Sequence, residues 1–302
     1  MTTKNIIYSV GLLLMTSLSV AAQKSTEKIL REFTFEKKSS KNVLMIFNVN
    51  GGVKVEGYSG DKILVEVEKT IEAKTEARLA TGKDELQLGV LDRADTIMLY
   101  LRGVCGDFGK SGKNGWKMGN SRWGYNWNDC NGRNGDCDKG YDYKMNFTIK
   151  IPQSVHLFIS TVNQGDIEVV NTSGNLAAHN VNGSIKLTNI SGSTIAKTIN
   201  GQVDLYYAAN PSGNSTYYSL NGNINANFVK GLAAQLTFKS FNGDLFSSIN
   251  NIVPMAVAVE KYEKGEGIHY KVNGNRYRIG SGGPLLDFET FNGDVFLKER
   301  GN

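Results

Sequence analysis

Acidic side chains recur at one position in this 302-residue sequence, directly after a glycine that ends a short repeated phrase. Asp166, Asp244 and Asp294 hold that position. A row of carboxylates along one face could serve acid–base chemistry, which needs two differently tuned carboxylates in one cleft. Aspartate after glycine is also typical of turns, where its side chain bonds nearby backbone. We favour the turn interpretation and predict a protein that is not an enzyme, without catalytic residues.

The sequence contains no other pattern typical of a catalytic site. His156, His179 and His269 are scattered and have no nucleophile or metal-binding motif around them. The phrase Gly280-Ser281-Gly282-Gly283 matches neither a nucleophile elbow nor a phosphate-binding loop, because the latter requires Lys followed by Ser or Thr. The sequence therefore predicts no cofactor and no metal.

The segment from Gly103 to Tyr143 differs in composition from the rest of the chain, and a loop this long is usually functional or disordered. We predict that its aromatic side chains contact a ligand such as a glycan, because an aromatic face offers broad apolar contact beside a polar edge. A local mini-core around a disulfide is the alternative interpretation. The predicted ligand-binding side chains are Trp116, Trp123, Trp127, Tyr125 and Tyr141.

The same segment holds every cysteine of the chain and several oxygen-bearing side chains. Cys105, Cys130 and Cys137 allow one disulfide with one thiol left over, and the pairing stays open. The oxygen-bearing residues suggest a calcium loop or, as we favour, turns in a solvated loop, because the glycine and closing glutamate of an EF-hand are missing. Those residues are Asp129, Asn131, Asn134, Asp136, Asp138 and Asp142.

Glycine and asparagine together account for 65 of the 302 residues, which predicts frequent tight turns. Many belong to one recurring phrase: a small polar residue, an apolar residue, Asn and Gly. From Asn163 onward, the asparagines of successive copies of the phrase are separated by 19, 18, 21, 21 and 50 residues. The predicted structural corners are Asn50, Asn163, Asn182, Asn200, Asn221, Asn242 and Asn292.

A short alternating run follows each corner, for example Val53-Lys54-Val55 and Ile185-Lys186-Leu187. Period-two alternation places the apolar residues of a strand on one face and the polar residue on the other. A meander of hairpins and a solenoid both fit this pattern. We favour the solenoid, because equivalent residues then stack, with asparagine amides forming a ladder and apolar side chains an interior. The predicted fold is all-β: a parallel β-helix with an inserted loop rich in Gly, Trp and Cys.

The N-terminal third is less regular. Ile63–Val67 and Ile97–Leu101 predict strands, and Thr75–Leu91 has the composition of a helix. We expect a single domain over residues 23–302, with coils mainly at 145–300, N-terminal coils at about 33–72 and an insertion at about 74–145. A separate small domain ending near residue 100 is the alternative.

Met1 to Ala22 has the features of a secretory signal, with Lys4 before an apolar stretch and small residues before Gln23. That stretch is shorter than the roughly 20 residues of a spanning helix, so we predict cleavage after Ala22 and no transmembrane segment in the mature chain. The formal charge of the whole chain is only +5 and no basic run stands out, so no nucleic-acid partner is expected. The predicted location is the periplasm or the cell surface.

Two phrases carry a family resemblance: the opening Asn48-Val49-Asn50-Gly51-Gly52-Val53 and the closing Gly280–Pro284 with Glu289–Val295. They resemble the bacterial putative-adhesin family, a domain of unknown function in exported proteins that is common in Bacteroidetes. The resemblance covers roughly residues 40 to 299 apart from the Cys- and Trp-containing insertion. It implies a right-handed parallel β-helix at the cell envelope and brings no catalytic residues.

From these features we expect a non-enzymatic envelope or surface protein that binds a glycan or protein ligand through Gly103 to Tyr143. Two other classes stay open: a polysaccharide-active enzyme, and a purely structural or envelope-stress protein. The enzyme requires two carboxylates converging beside the Trp residues, whereas the structural protein requires no ligand.

Overall fold

Alternating apolar residues form strands over most of the chain in the computed structural model, which describes residues 22–103, 140–256, 258–264, 267–273 and 275–300. The first strands and the helix are β1 (Gln23–Phe33), β2 (Val43–Phe47), β3 (Val53–Tyr58), β4 (Ile63–Ala73), α1 (Glu76–Glu85), β5 (Gln87–Asp92), β6 (Thr96–Arg102), β7 (Tyr141–Pro152), β8 (His156–Ser160), β9 (Ile167–Thr172), β10 (Leu176–His179) and β11 (Ile185–Ile190). The later strands are β12 (Thr194–Asn200), β13 (Val203–Tyr207), β14 (Ser215–Asn221), β15 (Ile224–Val229), β16 (Ala234–Lys239), β17 (Leu245–Ser247), β18 (Ile252–Pro254), β19 (Ala258–Lys264), β20 (Gly267–Asn273), β21 (Arg276–Ile279), β22 (Leu285–Asn292) and β23 (Val295–Arg300).

The strands form two large mixed sheets and one separate hairpin, β19–β20. The first sheet has the order β1-β4-β7-β3-β9-β11-β13-β15-β23-β17, and the second has the order β18-β21-β16-β22-β14-β12-β10-β8-β2-β6-β5. The predicted all-β class is therefore confirmed apart from one short helix. The first sheet is parallel from β7 to β17 and antiparallel only at β4 and β1. The second sheet is parallel from β16 to β6 and antiparallel at both ends.

Consecutive strands in the middle of the chain alternate between the two sheets, so each pair makes one coil that stacks on the next. In stacking order, the coils of the described part are coil 1 (β6–β7), coil 2 (β2–β3), coil 3 (β8–β9), coil 4 (β10–β11), coil 5 (β12–β13), coil 6 (β14–β15), coil 7 (β22–β23) and coil 8 (β16–β17). Parallel pairing of consecutive coils excludes the hairpin meander for this region, because hairpin strands pair antiparallel.

Stacking order departs from chain order at both ends of the stack. Coil 2 comes first in the chain but is covered by coil 1, and coil 7 comes last but lies between coils 6 and 8. Antiparallel strands then follow: β4 and β1 beyond coil 1 in the first sheet, and β5 in the second. At the other end, β21 and β18 extend the second sheet beyond coil 8, whereas β17 is the edge of the first sheet.

The core lies between the two sheets and is built from the inward residue of each alternating pair. Apolar side chains such as Leu44, Val53, Ile185 and Leu205 are fully buried there. Aromatic rings replace aliphatic side chains in coils 5 to 7: Tyr207 stacks on Phe228 with ring centroids 5.2 Å apart. This stacking agrees with the expectation that equivalent residues of successive coils lie over one another.

Two of these buried aromatic residues share a polar contact. The hydroxyl groups of Tyr207 and Tyr217 lie 2.7 Å apart in a hydrogen bond inside the core. Burial raises the pKa of Tyr207 to about 12 and holds the pKa of Tyr217 well above its usual value, because a charged phenolate is poorly solvated there.

The helix is shorter than the sequence predicts. Its N-cap is Thr75, whose side chain accepts a hydrogen bond from the Arg78 backbone N–H, and the helix ends at Glu85. The remainder of the predicted helix forms β5, because Leu88 and Val90 pack against the core from a strand paired with β6. Strands β5, β6 and the start of β7 thus fall within the range expected to be an insertion.

Candidate binding surface at the end of the coil stack

The corner asparagines stack into one continuous ladder of side-chain amides. Each Nδ2 donates to the Oδ1 of the preceding coil, beginning with Asn182 to Asn163 at 2.7 Å. Asn50 continues the row as a parallel bridge partner of Asn163. The remaining ladder bonds are Asn200 to Asn182 (2.8 Å), Asn221 to Asn200 (2.8 Å), Asn292 to Asn221 (2.9 Å) and Asn242 to Asn292 (3.0 Å).

In coils 5 and 6 the small polar residue that opens the phrase is buried and donates a hydrogen bond to a backbone carbonyl. Thr198 Oγ1 donates to the Gly183 carbonyl at 2.8 Å, and Ser219 Oγ donates to the Gly201 carbonyl at the same distance. These carbonyls belong to the neighbouring coil, so a buried hydroxyl joins successive corners. The repeated phrase is therefore accounted for by the stacking of coils.

The recurring aspartates bond backbone groups of adjacent coils. Asp166 Oδ1 accepts the Ser184 N–H at 2.7 Å, and Asp294 Oδ1 accepts the Asp244 N–H at 2.9 Å. Asp244 holds the same position in coil 8, the outermost coil. The bonds of Asp166 and Asp294 fit the turn interpretation of these two carboxylates.

Most of the predicted ligand-binding segment lies outside the described residues. This applies to the three tryptophans, to one tyrosine and to the residues of the possible disulfide: Trp116, Trp123, Trp127, Tyr125, Cys105, Cys130 and Cys137. The described chain stops at Gly103, after β6, and resumes at Gly140, before β7, so the residues in between connect the two strands of coil 1 in the sequence.

Tyr141 is the one predicted ligand contact that the structure describes. It begins β7, is only 8% exposed, and donates its hydroxyl to Glu85 Oε2 at 2.8 Å. Its ring also lies against Gly82 of α1, where an added Cβ would come within 3.0 Å of the ring carbons. Tyr141 therefore packs the helix onto the first sheet and presents little surface to a ligand.

Exposed aromatic side chains concentrate at the other end of the stack, in coils 7 and 8. Phe241 and Phe291 precede the corner asparagines, and their rings stack with centroids 4.8 Å apart and planes 5° apart. Phe246 and Phe296, on the far side of the same corners, stack at 5.2 Å and 13°. The exposed fractions are 74% for Phe241, 49% for Phe246 and 43% for Phe291.

The phenylalanines replace a row of polar side chains on the outer face of the first sheet. In coils 2 to 6 the position of Phe246 and Phe296 is held by Lys54, Glu168, Lys186, Asp204 and Asn225. Lys54 and Glu168 form an ion pair at 3.4 Å, typical of a solvated surface. The change from charge to aromatic rings at the last two coils is therefore specific to this end.

We name this region the end surface and define it by Phe241, Phe246, Phe291, Val253 and Met255. Val253 and Met255 are 45% and 36% exposed and lie in or beside β18, the edge of the second sheet. Exposed large apolar side chains at one end of a fold are candidates for an interaction site.

The sequence does contain a signal for this surface. The phrase Phe-Asn-Gly-Asp-x-Phe occurs twice, at 241–246 and 291–296, whereas earlier corners carry Val, Ile or Leu before the Asn. Each phrase carries two phenyl rings five residues apart. When the two coils stack, the two rings of one phrase lie over the two rings of the other phrase.

Chemistry of other kinds is not apparent in the part of the chain that the structure describes. There, no three His, Cys, Asp or Glu residues come together in a way that could hold a metal ion. Within the same ranges, no helix has the length and apolar character needed to cross a bilayer.

No family model matches the sequence, and no curated protein matches it. Two solved structures are similar to this chain. One is a putative cell adhesion protein from Clostridium sporogenes ATCC 15579, with a TM-score of 0.45 and 9% identity over 91% of this chain and 100% of that chain. The other is a putative adhesin from Bacteroides fragilis NCTC 9343, with a TM-score of 0.35 and 14% identity over 91% of this chain and 97% of that chain.

Likeness at these scores and identities does not extend to ligands, so the function has to be argued from this chain's own surface.

Proposed function

We propose that the protein is a non-enzymatic, exported, adhesin-like protein of the cell envelope or surface, whose coils wind as a right-handed β-solenoid and which binds a glycan or protein ligand. The observation that carries this proposal is the end surface, where phenyl rings replace the polar row of the other coils. The signal-like N-terminus at residues 1–22 supports export.

Solvent exposure of the phenyl rings favours the binding of a ligand. Phe241 keeps about three-quarters of its surface in water, an arrangement that contributes little to folding because the hydrophobic gain scales with the area removed from water. A ligand that covered the ring would gain that contribution on binding. The stacked pairs hold the rings in fixed orientations, so little side-chain entropy would be lost on binding.

The aspartates fit a binding protein better than a hydrolase. Asp166 and Asp294 are engaged by backbone N–H groups, and each acts as the acceptor that joins one coil to the next. General acid–base catalysis instead requires a carboxyl group aimed at a substrate in a cleft.

Binding to isolated envelope material tests the proposal. We expect the mature chain, residues 23–302, to co-sediment with the material and the double variant Phe241→Ser/Phe246→Ser to lose most of that binding. Leu30→Ser is the matched control, because Leu30 is 66% exposed but lies on β1 at the other end of the stack. A variant lacking residues 104–139 tests the predicted contribution of the insertion in the same assay.

Equal binding by the mature chain and the Phe double variant would show that the end surface does not bind the envelope material. Release of soluble oligosaccharides from a polysaccharide incubated with the protein would favour an enzyme instead. Absence of binding by every form, together with an envelope-integrity defect in a deletion strain, would favour a structural protein.

A further inference from the structure

We propose that the end surface binds an extended segment of a partner protein, which adds to the first sheet as a strand beside β17. This inference rests on the proposed function and names its ligand class. It draws on three features of coil 8: an unpaired strand edge, an open end of the asparagine ladder and two aromatic faces.

The backbone of β17 is oriented to accept another strand. The Asp244 carbonyl accepts the Val295 N–H at 2.9 Å, and the Ser248 N–H donates to the Leu297 carbonyl at 3.0 Å, so both residues face β23. Backbone groups of successive strand residues point to opposite sides. Leu245 and Ser247 therefore direct their N–H and C=O groups away from β23, and β17 has no second neighbour among the described strands.

The asparagine ladder has a direction, and its open end lies in coil 8. Asn242 donates its Nδ2 to Asn292 Oδ1 at 3.0 Å, just as each earlier corner donates to the coil before it. The Oδ1 of Asn242 occupies the position at which every inner rung accepts an amide from the next. A partner segment therefore needs a side-chain donor, best an asparagine or glutamine amide, opposite Asn242.

The two exposed rings of coil 8 complete the pattern. Phe241 and Phe246 each stack one face on a ring of coil 7, so the opposite face of each ring points along the stack. A strand in parallel register would place side chains over both faces if it carried apolar or aromatic residues five positions apart. The recognised segment thus has an apolar residue, an amide directly after it and a second apolar residue five positions after the first.

An extended polypeptide fits this surface better than a glycan. Outward N–H and C=O groups at Leu245 and Ser247 repeat at the spacing of a strand, and strand addition is a common mode of peptide recognition. A sugar could stack on one ring, but it would not supply alternating donors and acceptors along the edge.

A second copy of the chain is a poorer occupant. At the opposite end of the stack, coil 1 is covered by antiparallel β4 and β5, so a head-to-tail contact offers no matching parallel corner. Two β17 strands related by a two-fold axis would run antiparallel, so Asn242 of one copy could not stack on Asn242 of the other.

A synthetic peptide with the sequence of residues 289–298, Glu-Thr-Phe-Asn-Gly-Asp-Val-Phe-Leu-Lys, is the probe, because this segment is what coil 8 already stacks on. We expect it to bind the full mature chain saturably in fluorescence anisotropy, whereas a scrambled peptide does not bind. Replacing the asparagine of the peptide by alanine should weaken binding about fivefold, the value of roughly one hydrogen bond.

The protein variants separate backbone pairing from side-chain contact. Ser247→Pro removes an outward N–H and should weaken peptide binding about tenfold or more, whereas Ser247→Ala keeps that N–H and should bind like the parent chain. Phe241→Ala should weaken binding by a similar factor through loss of a ring face. Circular dichroism and urea unfolding of each variant verify that coil 8 stays folded.

Equal peptide binding by Ser247→Pro and the parent chain would overturn strand addition. A dimer of the mature chain that dissociates in Ser247→Pro, or glycan binding without peptide binding, would also overturn it. Envelope binding that is lost in Phe241→Ser/Phe246→Ser but intact in Ser247→Pro would leave the proposed function standing while the strand-addition inference fails.

Discussion

The side-chain amide of Asn292 donates to Oδ1 of Asn221 over 2.9 Å, although 71 residues separate the two in the chain. Their strands, β22 and β14, pair in parallel over the same corner. The last coil of the chain is therefore inserted between two coils that precede it, and its edges are covered on both sides. Coil 8, which comes earlier in sequence, is left with the exposed edge.

An inner rung of the ladder should contribute more to stability than the end rung. Asn292→Ala removes two side-chain hydrogen bonds, to Asn221 and from Asn242, whereas Asn242→Ala removes one. We expect Asn292→Ala to lower the free energy of unfolding by about 1–3 kcal/mol and Asn242→Ala by about half as much. Urea unfolding followed by circular dichroism measures both, and equal losses would contradict a continuous ladder.

A corner glycine should be intolerant of a methyl group because adjacent coils approach closely there. A Cβ on Gly201 would lie 2.2 Å from the Gly183 carbonyl oxygen, which belongs to the preceding coil. We expect Gly201→Ala to destabilise the protein by about 1–3 kcal/mol. Gly213→Ala is the control, since its Cβ would meet only the side chain of Ser193, and a loss as large as that of Gly201→Ala would show that close coil approach is not the cause.

The buried tyrosine pair predicts a loss of stability at high pH. The pKa of Tyr207 is raised from 10.0 to about 12 by burial, so the unfolded chain loses this proton before the folded one does. Its contribution to the free energy of unfolding is thus complete below pH 10 and is lost as pH rises from 10 to about 12. Tyr217, whose pKa is also raised, adds to the same loss.

Urea unfolding at a series of pH values tests this, with tyrosinate absorbance reporting ionisation. The double variant Tyr207→Phe/Tyr217→Phe should show a smaller decline over that range, because both titrating hydroxyls are gone. If the free energy of unfolding of the double variant falls as steeply with pH as that of the parent chain, groups other than these two tyrosines cause the loss of stability at high pH.

One buried lysine should stabilise the junction of the helix with the first sheet. Lys69 is 4% exposed, lies 2.9 Å from Glu27 and donates to the Leu86 carbonyl at 3.2 Å. Lys69→Met keeps the aliphatic packing but removes the hydrogen bond to that carbonyl and the ion pair with Glu27, and we expect a loss of about 1–2 kcal/mol.

Lys24→Met is the matched control, since it breaks the Lys24–Glu72 pair on the same two strands, whose side chains are 60% and 46% exposed. We expect a change below about 0.5 kcal/mol from this control. Similar losses from the two variants in thermal or urea unfolding would show that the buried contacts of Lys69 do not stabilise this junction.

The sequence predicted the features that depend on local chemistry. Alternating residues such as Val203-Asp204-Leu205 form a strand with its apolar side chains buried, because side chains alternate across a strand whatever its neighbours are. The Asn-Gly phrases form the corners, because an amide and a residue without a Cβ suit a tight bend beside another chain segment. One further amide bond between coils, in which Asn189 donates to Asn171 at 2.7 Å, was not predicted, although both residues open the phrase Asn-x-Ser-Gly, at 171–174 and 189–192.

The sequence by itself thus determined strands, corners and the stacking of like residues, all of which follow from short-range pattern. Only the tertiary structure decided the order of the coils, because every corner offers the same amide and the phrases alone permit any sequence of neighbours. Contacts between aromatic residues far apart in the sequence distinguish these orders. The ring centroids of Phe288 and Tyr217 lie 4.5 Å apart, and the ring of Phe291 stacks on that of Phe241. That choice covers the last coil and leaves the rings of coil 8 exposed, so the Phe-Asn-Gly-Asp-x-Phe phrases mark the rings in the sequence, but only the folded chain shows which of them form the end surface.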